Sequence, residues 1–443
     1  MSLRFRATAR KGLDSRLRGN DGWVKLAFRK GLDMTDYYDA LEMRAPEARE
    51  AALLAALPAQ IAHAQARAPG FARLLAGIDP AAITDRAALA ALPVTRKSDL
   101  IEAQKAVRPF AGLNATAPGR LARIFQSPGP IYDPEGRGPD WWRLARALHA
   151  AGFRPGEIIH NAFSYHMTPA GSIFETGAQA LGCAVFPAGV GQTEQQVRAI
   201  ADIGPSGYVG TPSFLGLILD KAAEIGVPVP SLTKGLVSGE AFPETARARF
   251  AEAGMAVLQC YATADLGLIA YETRPRGGLV VDEGVLVELV RPGTGDPVGD
   301  GEVGEVVVTS FNPDYPLIRF ATGDLSQFLD GPSPCGRTNR RLKGWLGRAD
   351  QTTKVKGMFV HPAQVAEVVR RHREIVRARL VVERDGQSDR MILLCETADG
   401  GGDAVVPAIQ ETIQAVTKLR GAVRFVASGS LPNDGKVIDD IRS

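Results

Sequence analysis

Short apolar runs alternate with amphipathic stretches over the middle of the chain, from about residue 120 to residue 260. Runs rich in Val, Ile, Phe and Tyr that end in Gly, Pro, Ser or Thr predict strands. Those strands are Arg123–Gln126, Glu157–Phe163, Cys183–Phe186, Tyr208–Thr211, Gly235–Ser238 and Ala256–Cys260. Stretches with apolar positions three and four apart predict the helices between them. Those helices are Ile173–Leu181, Glu194–Ile203, Phe214–Ile225 and Pro243–Ala253. The alternation predicts a mainly parallel sheet with helices on both faces.

Upstream of this region, an Ala-rich pattern predicts an amphipathic helix over residues 45–66. A second helix is predicted to start around Ser98, after the turn at Leu92–Lys97. A third is predicted to be capped by Asp140 and to present Trp141, Leu144 and Leu148 on one face.

The pattern of predicted elements changes after residue 278. Leu279–Val290 and Glu302–Ser310 are β-rich and separated by Gly, Asp and Pro, which predicts antiparallel strands. After Gly347 a smaller α+β pattern follows: a helix at Ala363–Arg373, strands at Ala378–Glu383 and Met391–Glu396, and a helix at Ala404–Thr417. We therefore expect an α/β protein whose large N-terminal domain, residues 34–349, combines helix-flanked parallel sheets with a β-rich subdomain. A small mobile α+β C-terminal lid is expected over residues 350–443, with the boundary near Asp350.

Composition and charge narrow the class of protein. At 443 residues, with 45% hydrophobic and 23% charged residues, the chain fits a soluble protein of two or three domains. Residues 1–33 hold nine Lys or Arg and three Asp or Glu, so the overall +3 leaves a net −3 on the remainder. We expect this leader to be a disordered extension, or sequence upstream of a true start at Met34; an Arg-rich transit peptide is the alternative. Without the leader, a nucleic-acid partner has no support.

The lengths of the apolar runs and the spacing of the cysteines indicate the cellular compartment of the protein. No run of about 18 apolar residues occurs, so no membrane span is predicted. Cys183, Cys260, Cys335 and Cys395 are scattered without a C-x-x-C pair, which favours a reducing cytoplasm over a disulfide framework or a zinc site.

Two residues carry candidate chemistry by position alone. Asp324 in Gly323-Asp324-Leu325 is predicted to lie on a tight turn after an apolar strand, where a carboxylate can bind ribose hydroxyls; a plain Asp turn is the alternative. Lys436 lies in a Gly/Asp/Pro loop and is either a solvated surface residue or a mobile lysine that stabilises charge on a phosphoryl group. Its loop is not a P-loop, because Val437 follows the lysine.

Other motifs are excluded or weak. Gly189-Val-Gly191 is not a dinucleotide fingerprint, and no G-x-S-x-G or H-E-x-x-H sequence occurs. Tyr165-His166-Met167 either lines a pocket or is a partly buried loop at a strand end.

Three segments between Tyr315 and Pro362 occur in a fixed order: Tyr315–Leu325 with its Thr-Gly-Asp, then Gly347-Arg348-Ala349-Asp350, then Lys354–Pro362. A lone Gly435-Lys436 follows near the C-terminus. Upstream stand Gly152–Gly156, Phe163–Gly171, Gly191–Gln195, Gly239–Phe242 and Tyr261–Asp265. Taken in order over residues 34–443, these segments resemble the phenylacetate–CoA ligase branch of the adenylate-forming superfamily.

The resemblance implies a two-step reaction. A carboxylate attacks the α-phosphorus of MgATP to give acyl-AMP, and the lid then rotates so that coenzyme A attacks the acyl group. The roles it implies are as follows: Lys436 for catalysis; Gly239, Glu240, Ala241, Tyr261, Asp324 and Arg348 for the nucleotide; Asp265 for Mg²⁺; Tyr165, His166, Pro187 and Gly189 for the acid; Asp350 for the hinge; Lys356 and Gly357 beside the CoA channel.

Several residues depart from the branch pattern. The segment that should be a flexible Ser/Thr/Gly-rich phosphate loop, Gln126–Gly136, contains prolines that remove N–H donors, and Asp133 where the branch has a lysine. Ala264 replaces a Thr or Ser, Asp265 a Glu, and Ala321 an Arg. Of the Cys-rich turn common in the branch, Cys335-Gly336-Arg337 remains.

The main hypothesis is an AMP-forming ligase that joins an aromatic or similar small carboxylic acid to CoA. Because several departures concern phosphate or metal contacts, two alternatives stay open. One is a diverged protein of the same fold that binds carboxylate, acyl-CoA or nucleotide without adenylating. The other is an adenylating enzyme with an amine or carrier-protein acceptor. The expected partners are the acid, ATP and CoA, without nucleic acid or membrane, and a homodimer is one candidate assembly.

Overall fold

The structure, a computed structural model, describes residues 36–127, 130–349, 353–356, 358–385, 388–397, 402–432 and 436–442. The predicted leader, the predicted hinge residue Asp350 and the predicted channel residue Gly357 lie outside the described residues.

The predicted α-helices occur in the described chain in the predicted order. The α-helices of the described chain are α1 (Pro46–Arg67), α2 (Pro69–Leu74), α3 (Arg86–Ala90), α4 (Leu100–Ala106), α5 (Leu144–Ala150), α6 (Ala170–Leu181), α7 (Thr193–Ile203), α8 (Pro212–Glu224), α9 (Glu244–Glu252), α10 (Pro362–Arg371) and α11 (Val406–Thr417). Two short helices that were not predicted, α2 and α3, lie between the first and second predicted helices. None of these helices has both the length and the apolar character needed to cross a bilayer.

The strands before residue 264 are β1 (Thr95–Arg96), β2 (Arg123–Ser127), β3 (Ile131–Glu135), β4 (Ile158–Asn161), β5 (Ala184–Pro187), β6 (Gly207–Gly210), β7 (Lys234–Val237) and β8 (Ala256–Thr263). The middle of the chain adds β9 (Gly267–Glu272), β10 (Leu279–Val281), β11 (Val285–Val290), β12 (Val303–Ser310), β13 (Phe320–Leu329) and β14 (Arg341–Leu342). The C-terminal part holds β15 (Thr353–Val355), β16 (Met358–Val360), β17 (Ile375–Asp385), β18 (Ser388–Thr397), β19 (Ala422–Val426) and β20 (Ile438–Asp440).

One 12-stranded sheet organises the part of the chain before residue 350. Its order is β11-β12-β13-β14-β10-β9-β8-β7-β6-β4-β5, with β1 beside β13. The β5-to-β8 half is parallel and flanked by α-helices, whereas β8 to β14 pair in antiparallel fashion. The predicted mixed α/β fold class is confirmed. Because the parallel strands all point the same way, their carboxyl ends share one edge, where ligands bind in such sheets.

Helices pack closely on the parallel half. At Gly177 in α6, an added Cβ would lie 2.6 Å from the Cβ of Leu144, so only glycine lets α5 and α6 approach this closely. The β13 end of the sheet is held by Arg319, which is 1% exposed. Its guanidinium donates to both carboxylate oxygens of Glu288 and to the carbonyls of Ala90, Leu92 and Gly295.

The C-terminal residues form their own small α+β unit. A four-stranded sheet of order β19-β18-β17-β20 is accompanied by the β15–β16 hairpin, α10 and α11. Its buried apolar side chains form a core of their own, which includes Val355, Val365, Leu380 and Ile409. This separate core agrees with a small lid, although the exact boundary at Asp350 stays a prediction.

Two local predictions were wrong. Gly323-Asp324-Leu325 lies inside β13 rather than on a turn after a strand, because the strand continues past the glycine to pair with β12 again at Leu325. At Asp140, the helix begins later than expected: α5 starts at Leu144, and Trp141 precedes it. Asp140 still supports the helix start, since its carboxylate accepts the amide of Ala145.

Candidate active site

Asp324 is the centre of a polar cluster at the edge of the sheet. Its carboxylate accepts the hydroxyl of Tyr261 at 2.9 Å, the indole N–H of Trp345 at 3.1 Å and the guanidinium of Arg348 at 3.0 Å. Trp345 and Arg348 are exposed, whereas Asp324 is mostly buried. A buried carboxylate with two solvent-facing partners can exchange those partners for ligand hydroxyls at small cost.

Backbone geometry explains why these side chains meet. Gly323 has φ +78°, and an added Cβ would lie 2.5 Å from the guanidinium of Arg348. The left-handed conformation bends β13 so that Asp324 forms a bridge with Arg348, and the amide of Ala349 donates to the carbonyl of Gly323 at 2.7 Å. The segment that leads towards the lid therefore starts at this carboxylate.

The predicted adenine loop lies beside this cluster. Gly239 to Ala241 follow β7, the parallel neighbour of β8, and the hydroxyl of Ser238 donates to the carbonyl of Cys260, next to Tyr261. The loop is exposed, and the carboxylate of Glu240 accepts the hydroxyl of Ser213 at 2.9 Å. The adenine-binding role of these residues stays a prediction.

Lys97 is the functional candidate that sequence reasoning missed, having been placed only in the turn before a helix. Its ammonium lies 2.5 Å from Asp265, whose side chain is fully buried. Burial disfavours the charged lysine, but Asp265, helped by Asp133 and Asp324, outweighs it and raises the pKa of Lys97. The ammonium is therefore a permanent positive charge near three acidic side chains.

Two residues of the predicted phosphate loop, Pro128 and Gly129, lie outside the described residues, and the parts on either side of them form paired strands. Strands β2 and β3 pair from Arg123 to Glu135, and Asp133 is completely buried on β3. Burial, followed by repulsion from Asp265, raises the pKa of Asp133 well above its usual range. Both carboxylate oxygens of Asp133, one oxygen of Asp265 and the hydroxyl of Tyr315 are buried without a hydrogen-bond partner.

The predicted acid-pocket residues are held together by Asn161, which the sequence reasoning did not single out. Its side-chain N–H₂ donates to the hydroxyl of Tyr165 at 2.8 Å, and its backbone carbonyl accepts the backbone amide of Gly189 at 3.0 Å. Pro187 ends β5 and is exposed, as is His166. Tyr165 and Gly189 thus share one anchor, while the contribution of the other two to a pocket stays a prediction.

The lid presents its helix start, not Lys436, to this region. A cavity of about 340 Å³ is lined by Lys97, Gly323 and Arg348 on one side and by His361 and neighbouring lid residues on the other. Lys436 is 3.1 Å from Asp439 and lines a separate cavity of about 680 Å³. In this lid orientation the catalytic role predicted for Lys436 is not engaged.

Lys356, predicted beside the CoA channel, lies in the turn between β15 and β16. Its backbone amide donates to Asp389 at 2.9 Å, and its φ is +47°. Its role stays a prediction.

Known proteins match this chain in sequence. The AMP-binding enzyme family matches residues 165–312. The phenylacetate–coenzyme A ligase of Thermus thermophilus is 32% identical over 357 residues, 76% of this chain and 79% of that protein. The ligase of the same name from Aromatoleum evansii is 29% identical over 81% of this chain and 84% of that protein. The chain therefore belongs to the phenylacetate–coenzyme A ligase family of AMP-binding enzymes.

Solved structures agree on the fold. The 2-hydroxyisobutyryl-CoA ligase in its postadenylation state with 2-HIB-AMP matches with a TM-score of 0.68 at 24% identity, covering 91% of this chain and 92% of that one. The same ligase in its thioester-forming state with 2-HIB-AMP and CoA matches at 0.66. By family, the protein is an AMP-forming acid–CoA ligase.

Proposed function

We propose that this protein activates a small carboxylic acid with MgATP, using the cleft between Asp324 and Lys97, and then transfers the acyl group to CoA. The observation that carries the proposal is that the Asp324 cluster and Lys97 border the same cleft. The Asp324 cluster supplies acceptors for ribose hydroxyls, and Lys97, half-buried and lining the same cavity as Arg348, supplies a positive charge for phosphate. The family membership supports the same reaction class.

In the first half-reaction, an oxygen of the acid attacks the α-phosphorus of ATP and the bond to the β-phosphate oxygen breaks, releasing pyrophosphate. Asp324 would exchange its exposed partners Trp345 and Arg348 for the two ribose hydroxyls, and Arg348 would remain beside the nucleotide. Lys97 would offset the negative charge of the phosphoryl oxygens. A magnesium ion held at Asp265 would neutralise part of the charge on the leaving pyrophosphate.

In the second half-reaction, the sulfur of CoA attacks the acyl carbon, the bond from that carbon to the phosphate oxygen breaks, and AMP leaves while the thiol proton passes to solvent. We propose that His361 and Lys97, which both line the 340 Å³ cavity, border the cleft during this step. Lys436 would enter the site in the adenylating orientation, after rotation of the lid about the segment at Asp350.

The acid is proposed to be aromatic or of similar small size, because the curated relatives are phenylacetate–coenzyme A ligases by name. Tyr165 and Gly189, both held by Asn161, would form one wall of its pocket.

Pyrophosphate–ATP exchange across aryl and aliphatic acids tests the proposal, with acyl-CoA followed by mass spectrometry. We expect exchange with at least one arylacetic or related acid, and the matching thioester when CoA is added. Lys436→Ala should lose exchange, whereas Arg424→Ala, which removes an exposed lid charge, should keep it. No exchange with any acid would overturn adenylation and favour the non-adenylating alternative. Exchange without thioester would point to an amine or carrier-protein acceptor.

A cytoplasmic location and a homodimer belong to the same proposal. All four cysteines are free thiols and buried, as suits a reducing compartment. Analytical ultracentrifugation would check the dimer.

A further inference from the structure

Three buried side chains, those of Asp133, Asp265 and Tyr315, each hold a polar atom without a hydrogen-bond partner, and one of them, Asp265, contacts Lys97 through its other oxygen. Asp133 is 0% exposed and both of its oxygens lack partners; Asp265 is 3% exposed and one oxygen lacks a partner; Tyr315 is 1% exposed and its hydroxyl lacks one. Burial and then the charge of Asp265 raise the pKa of Asp133, and burial followed by Asp265 and Asp133 raises the pKa of Tyr315, so the three side chains are neighbours. Unpaired buried polar atoms are costly, so several of them on neighbouring side chains indicate a place for a ligand.

The geometry points to a divalent-cation site in which Asp133 and Asp265 are the two protein carboxylates, a site that binds metal before nucleotide. The inference rests on the proposed function for its role, since a metal there would lie beside the ATP phosphates. It goes further in assigning Asp133, which replaces a phosphate-loop lysine of the resembling branch, as a metal ligand.

The donor set fits magnesium or manganese. These ions bind proteins through one or two carboxylates and complete their octahedral shell with waters and phosphates. Among the described residues no cluster of three or more His, Cys, Asp or Glu is arranged for a metal, so a full protein cage is absent from that part of the chain. Two carboxylates with open oxygens and a nearby cavity match a partly hydrated ion better than a caged one.

Lys97 occupies the site as the competing cation. In the absence of metal its ammonium satisfies one oxygen of Asp265, and burial followed by Asp265 leaves the pKa of Asp133 raised despite this nearby positive charge. A divalent ion would supply two charges between those carboxylates and release the ammonium towards the cavity that Lys97 lines. Metal entry and exposure of the phosphate-binding lysine would then be one event.

Mn²⁺ binding to nucleotide-free enzyme tests this, measured by electron paramagnetic resonance of free Mn²⁺ and by Mg²⁺ competition. We expect one saturable site in the wild type. Asp133→Asn and Asp265→Asn should each weaken it by at least about tenfold, the scale of losses at metal sites. Lys97→Met should tighten it, because the competing ammonium is gone.

Two matched controls remove a carboxylate elsewhere. Glu135→Gln lies two residues along β3 but is paired with Arg123 and Ser172, and Asp202→Asn is exposed on α7; both should bind Mn²⁺ like the wild type. Thermal unfolding checks that each variant is folded, with Asp133→Ser as a second substitution.

The inference would be overturned by wild-type Mn²⁺ affinity in both folded Asp133 variants, or by the lack of a saturable site in the wild type. Because neither ATP nor acid is present, these outcomes are independent of pyrophosphate exchange. Loss of exchange with intact Mn²⁺ binding would overturn only the proposed function.

Discussion

Replacing Asp324 by Asn should weaken nucleotide binding through the ribose alone. The carboxylate can accept both ribose hydroxyls, whereas the amide keeps one acceptor oxygen and turns its N–H₂ towards the other hydroxyl. The loss is therefore about one charge-assisted hydrogen bond, roughly 1.5–3 kcal/mol. That corresponds to about 10- to 150-fold weaker AMP binding.

The structure indicates that this loss is not masked by unfolding. Arg348 is 47% exposed on its side chain and Trp345 is 57% exposed, so water can replace Asp324 for both. Tyr261 keeps a hydrogen bond to Thr322 at 3.0 Å. The stability cost should thus be about 1 kcal/mol or less, as for an exposed ion pair.

Calorimetric titration with AMP and with 2′,3′-dideoxy-AMP isolates the ribose contact. The wild type should prefer AMP, and Asp324→Asn should lose most of that preference while binding the dideoxy nucleotide nearly as well. Asp330→Asn, an exposed acid six residues along the chain, serves as the control. An equal loss for both nucleotides in Asp324→Asn would refute the ribose assignment.

Three further predictions concern stability, pH and catalysis. Arg319→Met should lower the free energy of unfolding by about 3–5 kcal/mol in urea titrations, because Glu288 is left buried and unpaired. His149 is kept neutral by burial and then by Arg154, with its pKa lowered to about 4. The histidine of the unfolded chain gains its proton near pH 6.5, whereas that of the folded chain gains it only near pH 4. The free energy of unfolding should therefore fall by roughly 2 kcal/mol from pH 7 to pH 5. His149→Gln should remove this pH-dependent loss. Lys436→Ala should slow pyrophosphate exchange by about 10²- to 10³-fold and leave thioester formation from supplied acyl-AMP unchanged.

Each of these has a contradicting outcome. A loss below about 1 kcal/mol for Arg319→Met would mean that Glu288 finds water or another partner. If the free energy of unfolding falls equally for His149→Gln and the wild type between pH 7 and 5, His149 does not cause the loss of stability in acid. Equal slowing of both half-reactions by Lys436→Ala would indicate a role in lid structure.

The order of elements could be predicted because local patterns determine them. Apolar runs and helical spacing marked each of the parallel strands and their helices, and the ordered motifs named Tyr261, Asp265, Asp324 and Arg348. The structure brings Tyr261, Asp324 and Arg348 into direct contact. The sequence also shows that Asp265 replaces the usual Glu, but it does not show that Asp265 contacts Lys97.

The neighbours of these residues depend on pairings between distant segments. Lys97 reaches Asp265 because β1, only two residues long, pairs with β13 at Phe320 and Ala321. No local pattern marks so short a strand or its partner. Similarly, the sequence shows Asp133 where the branch has a lysine, but the burial of Asp133 depends on the pairing of β2 with β3. A segment that contains prolines does not predict a strand.

The closeness of Ala349 to Asp324 has a mechanical consequence. A rotation moves each atom in proportion to its distance from the axis. The chain leaves the large sheet at Ala349, which is hydrogen-bonded to Gly323, one residue from Asp324, the carboxylate proposed to bind ribose. A turn of the lid about this point would leave the sugar almost still, while the part of the lid that faces the cleft would change. The adenosine would then keep its position through both half-reactions, and only the lid groups next to the reacting atoms would change.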